Sequence, residues 1–217
     1  EDLPKSKVFD DFLDALLKPS LSEAIKISNN YINSTKDLRF FWENILLIAL
    51  YSIGKKWSNG EISVGQEHTA TSICQRVISM HYEKILDENY IFSSKKVIVA
   101  VSPKELHEIG ARMVSDLLEF EGYEVIFFGS NSKPEEIVQS SKEESVNHIL
   151  VSTTLISNID VTKELVHFLK KNLKDVKVYI GGQAYNKLET KFIDEIKADK
   201  YIKDFNELIK VLKDDEV

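Results

Sequence analysis

Lys96-Val97-Ile98-Val99-Ala100-Val101 and, after three residues, Glu105-Leu106-His107-Glu108-Ile109-Gly110 decide the reading of this chain. An almost unbroken apolar run of six residues reads as a strand covered on both faces. The second stretch leaves that strand and opens a helix. Open α/β sheets bind ligands beyond the carboxyl ends of their strands, so His107 stands where a ligand is met. A metal-bound imidazole usually gives its second N–H to a carboxylate. Glu105 is placed to take it, with Glu108 as a competitor, and Gly110 lets the chain approach something closely. The plain alternative is a polar loop with an acid at a helix start.

Outward from this stretch, strand and helix patterns alternate. The strands are expected at 96–101, 123–128, 148–153, 177–181 and 200–203. The helices are expected at 108–120, 134–144, 160–173, 189–197 and 205–213, with Gly122 and Gly129 punctuating the first unit. This alternation predicts an α/β fold over residues 95–217: a doubly wound, parallel, five-stranded sheet of the Rossmann-like (flavodoxin-like) kind.

Residues 1–90 have a helical apolar period instead. Val8, Phe9, Phe12, Leu13, Leu16 and Leu17 form one stripe, which Pro19 ends. Ser20 with Glu23 caps a second helix carrying Ala24, Ile25, Tyr31 and Ile32. A third runs from about Lys36 to Trp57, with Leu38, Phe41, Trp42, Ile45, Leu46, Ala49 and Ile53 inward, until Ser58-Asn59-Gly60 breaks it. Ser63 with Gln66 caps a fourth, from Val64 to about Leu86. Four helices with short links predict an antiparallel four-helix bundle, joined to the α/β half by a linker at Asp87–Ser94.

The composition narrows the classes. A net charge of −7 over 217 residues, without a basic run, argues against nucleic-acid contact by this chain. Lys170-Lys171 with Lys174 reads as a solvated helix face. The lone cysteine, Cys74, allows no internal disulfide. That fits a reducing compartment, and a cytoplasmic protein is expected. No apolar run approaches the ~20 residues of a membrane span, and no secretory signal is visible. The chain begins at Glu1 rather than Met.

Two further segments fall at the same sheet edge. Thr153-Thr154-Leu155 follows the third strand and Gly181-Gly182 the fourth. Small and hydroxyl residues there let a bulky ligand tail enter between the strands, although a Gly-Gly after a strand is by itself most often a turn. In the bundle, Trp57 ends the third helix, and Glu67-His68 lie in the first turns of the fourth. The three converge at one end, an aromatic plate beside a carboxylate and an imidazole. The plain alternative makes Trp57 core and Glu67 a helix-start acid. His81, His148 and His167 read as isolated, structural or exposed, Trp42 as core and Cys74 as a helix-face residue.

Together these residues resemble the cobalamin-binding module of methionine synthase and related proteins, which carries Asp-x-His-x-x-Gly, then Ser-x-Leu, then Gly-Gly. Here the series is Glu105-x-His107-x-x-Gly110, Thr153-x-Leu155 and Gly181-Gly182. The resemblance implies that His107 is the lower axial cobalt ligand, replacing the cofactor's own benzimidazole base, and that Glu105 holds its ring. Thr153, Leu155 and the glycines then line the nucleotide tail. Trp57, nine residues, then Glu67-His68 is similar to the Trp-x9-Glu-His motif of CarH-type light-sensing regulators. In that branch the bundle caps the upper face of adenosylcobalamin, with Trp57, Glu67 and His68 around the adenosyl group, and light breaks the cobalt–carbon bond. Two departures stand out. Ser58 occupies the place of a histidine that captures cobalt after photolysis. The DNA-binding domain that precedes the bundle in that branch is absent from this sequence.

The reading ranked first is therefore a non-enzymatic, light-responsive regulatory module that binds adenosylcobalamin. A homo-oligomer or a regulatory protein partner is implied, with no membrane, and with nucleic-acid contact only through a preceding domain. Ranked second is a corrinoid methyl carrier of a methyltransferase system, for which methylcobalamin is the form expected. A phosphoacceptor receiver domain is rejected, because Ser102-Pro103 and Thr153-Thr154 stand where its acidic residues belong.

Overall fold

The computed structural model describes residues 5–86 and 95–215, so the linker expected at Asp87–Ser94 lies outside the described residues. The chain divides into two compact units, Glu1–Tyr90 and Ile91–Val217.

The second unit holds a five-stranded parallel sheet in the order β2-β1-β3-β4-β5. Its strands are β1 (Lys96–Val101), β2 (Glu124–Phe128), β3 (His148–Ser152), β4 (Lys177–Gly181) and β5 (Lys200–Ile202). The helices between them are α6 (Ile109–Phe120), α7 (Pro134–Glu143), α8 (Ile159–Asn172) and α9 (Thr190–Asp194), and α10 (Phe205–Asp214) closes the unit. α1 to α5 belong to the first unit. Parallel neighbours need crossover helices, which cover both faces of the sheet. The central strands accordingly carry apolar side chains on both faces: Ile98, Ala100, Ile149, Val151, Val178 and Ile180 share one face and join Leu165, Val166 and Leu169 of α8 in one buried core, while Val97, Val99, Leu150 and Tyr179 are buried on the other.

The order reverses between β1 and β3, and this sets the site. β1 pairs with β2 on one side and with β3 on the other, in the register Val101↔Ser152, while Ser152 faces Gly181 across β3 and β4. The ends of three neighbouring strands therefore lie level. Connections leaving β1 and β3 diverge to opposite faces, opening the crevice where such sheets bind ligands.

The first unit consists of α1 (Lys5–Leu17), α2 (Leu21–Tyr31), α3 (Thr35–Phe41), α4 (Leu47–Ser58) and α5 (Val64–Leu86). The third helix expected from sequence is one helical run, but it contains a π-helical turn, Trp42–Leu46, between α3 and α4. Trp42, Ile45 and Leu46 of that turn are all buried, so the extra residue keeps the apolar stripe inward. Phe12 and Phe41 meet edge-to-face with centroids 5.2 Å apart. The helix starts are built as the sequence predicts. Ser20 accepts from Glu23 N at 3.4 Å. Ser63 and Gln66 exchange bonds, with Gln66 N donating to Ser63 Oγ at 3.2 Å and Ser63 N to Gln66 Oε1 at 2.9 Å. His81 is buried and meets Ser28 Oγ at 3.0 Å, tying α5 to α2. His148, read from sequence as isolated, contacts Asp215 Oδ2 at 3.1 Å beside Tyr179 and Lys177. That partner follows α10, 67 residues away, where no local pattern points to it.

Among the described residues, no helix is long and apolar enough to cross a membrane.

Candidate cofactor-binding site

β1 ends at Val101 and turns sharply. Glu105 N donates to Ser102 O at 3.0 Å, and Lys104 adopts φ +65°. This turn drives the Glu105 side chain down under the loop that follows β3. The carboxylate is wholly buried and accepts five hydrogen bonds. Oε2 takes Thr154 N at 3.1 Å, Leu155 N at 2.9 Å and Asn158 Nδ2 at 3.1 Å. Oε1 takes His107 N at 3.1 Å and the His107 ring at Nδ1, 2.5 Å away. Burial alone pushes this carboxyl up. The His107 ring, the Leu155 and His107 amides and Asn158 outweigh that and hold it down at about 2.

Glu105 is thus an anion locked between two loops. It draws the His107 proton onto Nδ1, an assignment that follows from the hydrogen-bond network. That leaves Nε2 as the unprotonated ring nitrogen, and a carboxylate partner raises the basicity of such an imidazole. The His107 side chain is 54% exposed although its orienting acid is 0% exposed. Glu108 does not compete for the ring. Its Oε2 accepts Ser130 N at 2.9 Å and Ser130 Oγ at 3.1 Å, beyond β2. A Cβ on Gly129 would sit 2.6 Å from that oxygen, so the glycine makes room for the carboxylate.

The other motif residues join the same edge. Thr153 N donates to Gly181 O at 2.9 Å and Ala184 N to Thr153 O at 3.2 Å, stitching the ends of β3 and β4 together. Gly182 has φ +116°, and a Cβ there would lie 2.3 Å from Thr153 O. Only glycine serves at that position. A Cβ on Gly181 would meet Ile202 O at 3.1 Å, while one on Gly110, in the first turn of α6, would meet nothing within 4 Å. No internal contact therefore requires the glycine at 110. Leu155 is exposed at this edge together with Leu106 and Ile156, leaving apolar surface on the loops that carry the imidazole.

Trp57, Glu67 and His68 lie in the first unit. Trp57 is 48% exposed in the last turn of α4, so it is not core. Glu67 and His68 lie in the first turns of α5. Glu67 Oε2 holds His68 Nδ1 at 2.6 Å, and Glu67 Oε1 accepts from Thr71 Oγ1 at 2.8 Å. Glu67 is therefore an orienting acid for an exposed imidazole as well as a helix-start acid. Ser58 donates its hydroxyl to Lys55 O at 2.8 Å and closes the helix.

Three residues that sequence reading did not single out, Asn158, Thr162 and Tyr185, complete the edge together with Ser102, and all four are buried. Thr162 donates to Asn158 O at 2.8 Å and meets Ser102 Oγ at 2.6 Å and Thr153 Oγ1 at 3.0 Å. Thr153 Oγ1 also meets Tyr185 OH at 3.2 Å. Asn158 carries the one local signal, a polar side chain at a helix start.

A family model described as a B12 binding domain matches residues 95–209, and a second with the same description matches residues 8–81. The chain belongs to the B12-binding domain family. A corrinoid protein of Desulfitobacterium hafniense is 24% identical over 196 residues, 88% of this chain and 89% of that protein. Monomethylamine corrinoid protein 1 of Methanosarcina mazei is 24% identical over 216 residues, 96% of this chain and 97% of its own length. Among solved structures, the Methanosarcina barkeri monomethylamine corrinoid protein superposes with a TM-score of 0.74 at 21% identity, covering 96% of this chain and 98% of that one. The two-unit architecture of this B12-binding chain is thus shared along its length.

The residues present fit a corrinoid. Among the described residues, no three His, Cys, Asp or Glu side chains gather as a metal site. A single histidine held by a buried carboxylate suits a metal that arrives with its own ring of ligands. The apolar loops beside it suit the face of a large macrocycle.

Proposed function

We propose that this B12-binding chain is a corrinoid carrier subunit of a methyltransferase system. It binds a cobalt corrinoid through His107 Nε2 and does not itself turn over substrate. The observation that carries the corrinoid part is the buried Glu105 anion holding His107 at the reversal point of the sheet. The carrier part is supported by relatives that match both units end to end and are named corrinoid and monomethylamine corrinoid proteins. When bound, the corrinoid supplies a cobalt centre that takes a methyl group from one partner and gives it to another. The chain's own residues have simpler tasks. Glu105 keeps the proton on Nδ1, Thr154 and Leu155 hold Glu105 in place through their amides, and the exposed Leu106, Leu155 and Ile156 would give a bound corrinoid apolar surface to cover. Methylcobalamin is the form this role uses, and methyltransferases are the partners it needs.

This reverses the order of the two readings drawn from sequence. The light-responsive reading rests on Trp57 with Glu67-His68, and it keeps one specific support: an exposed tryptophan and a carboxylate-held imidazole at the same end of the bundle. One experiment separates the two. Protein loaded with methylcobalamin is mixed with a thiol methyl acceptor and a corrinoid-dependent methyltransferase, and methylated product is measured. In parallel, protein loaded with adenosylcobalamin is illuminated and its elution volume followed. Product formation with an unchanged elution volume is expected. No methyl transfer, with a light-driven change of assembly, would instead establish the regulator.

A further inference from the structure

Thr153 is the residue the sequence assigns to a ligand's tail, yet it is wholly buried and its hydroxyl is already engaged on two sides. The direction of that chain follows from counting protons. A hydroxyl has one proton and two lone pairs. Thr162 gives its proton to Asn158 O, so it accepts from both Ser102 and Thr153. Thr153, having given its proton to Thr162, accepts from Tyr185 OH. Tyr185 is thus the terminal donor. If its phenol leaves, Thr153 loses a donor and keeps its own proton on Thr162, and it can serve an entering acceptor such as a ring nitrogen by turning that proton away from Thr162.

Tyr185 differs from the others in its backbone, although its ring is packed in the buried core of the sheet. Ser102 and Thr153 follow β1 and β3, and Thr162 sits in the second turn of α8. Tyr185 belongs instead to a five-residue 3₁₀ turn, Gln183–Lys187, reached through the two glycines. Its own amide bond, to Gly182 O, is a long 3.3 Å. Its ring lies against Tyr201 of the three-residue edge strand β5, with centroids 5.2 Å apart.

We propose that the Tyr185 phenol is a placeholder in the slot for the corrinoid's nucleotide tail, so that this residue sets discrimination between corrinoids with and without a lower base. The proposal rests on the corrinoid reading above. A corrinoid with its nucleotide tail must displace the phenol from Thr153, whereas a tail-less corrinoid seats on His107 without disturbing it.

The test measures association rates of hydroxocobalamin and of cobinamide, which lacks the nucleotide tail, by stopped-flow absorbance with the full chain. Tyr185→Phe keeps the ring and removes one neutral hydrogen bond, so cobalamin association should accelerate about fivefold. Tyr185→Ala clears the slot and should accelerate it further, while cobinamide association stays at the wild-type rate in both variants. Far-ultraviolet circular dichroism checks folding, and the Phe variant carries the test should the Ala variant unfold. Equal changes for the two corrinoids, or no change for cobalamin in the Phe variant, would overturn the placeholder role. Failure of wild-type protein to bind either corrinoid would overturn the corrinoid reading itself.

Discussion

Replacing Glu105 by glutamine changes one atom and one charge in the buried group that carries His107. The amide has one acceptor end and one donor end. Oε2 faces three donors, Thr154 N, Leu155 N and Asn158 Nδ2, while Oε1 faces two, His107 N and the His107 ring. The amide oxygen therefore takes the Oε2 place, and the NH₂ group turns to His107. There it opposes the backbone N–H, leaving one donor unsatisfied at a cost of about 1–3 kcal/mol. It also donates to Nδ1, so the imidazole proton moves to Nε2, the atom needed for the metal. Loss of an orienting partner of this kind weakens metal binding roughly 10–100-fold. The variant should fold, with a lower denaturant midpoint, and should bind cobalamin with a smaller histidine-ligated fraction. Urea unfolding and absorbance titration read the two effects separately. Wild-type affinity and a fully ligated spectrum in Glu105→Gln would refute the reasoning.

Asp116 on α6 is buried, and that burial, aided by the charge of Glu119 against that of Arg112, raises its carboxyl to about 7. Between about pH 4 and 7 the folded chain keeps a proton that the unfolded chain releases, so stability falls as pH rises through this window, by about 4 kcal/mol at most. Asp116→Asn should flatten that slope and raise stability at pH 8, as measured by urea unfolding across pH. Gly182→Ala should cost roughly 2–4 kcal/mol through backbone strain and its clash with Thr153 O. Gly110→Ala should leave stability unchanged or raise it by up to about 1 kcal/mol while weakening corrinoid binding, and thermal melts with titrations compare the pair. Glu108→Ala removes the acceptor for Ser130 N and Oγ. It should destabilise by about 1–3 kcal/mol and speed amide hydrogen exchange at Ser130.

The α/β half was legible because its signals are local. Runs such as Val97–Val101 and Ile149–Val151 are apolar on both faces only because helices cover the sheet on both sides, and their ends coincide with the observed strands to within a residue or two. The pairing of Glu105 with His107 was legible for the same reason, since only Leu106 separates them. What escaped depends on contacts across the fold. Asn158 meets Glu105 from 53 positions away, and Tyr185 meets Thr153 from 32. Glu108 has its partner beyond the next strand, so sequence alone left it competing for the imidazole. The π turn at Trp42–Leu46 was hidden because one extra residue barely disturbs a 3.6-residue stripe. The choice between carrier and light sensor, in which the relatives favour the carrier, was not legible for a different reason. Trp57, Glu67 and His68 match one branch by residue type and spacing, whereas the relatives that match along the chain are named corrinoid proteins.

The central claim is that His107 Nε2 is the lower ligand of a bound corrinoid. Electron paramagnetic resonance of the chain loaded with cob(II)alamin, with histidine labelled by ¹⁵N, tests it most directly. The account predicts that the nitrogen splitting changes from the three-line pattern of ¹⁴N to the two-line pattern of ¹⁵N, and that it disappears in His107→Ala. A three-line pattern that persists in the labelled protein would mean that the cofactor's own base ligates the cobalt, and would contradict the account.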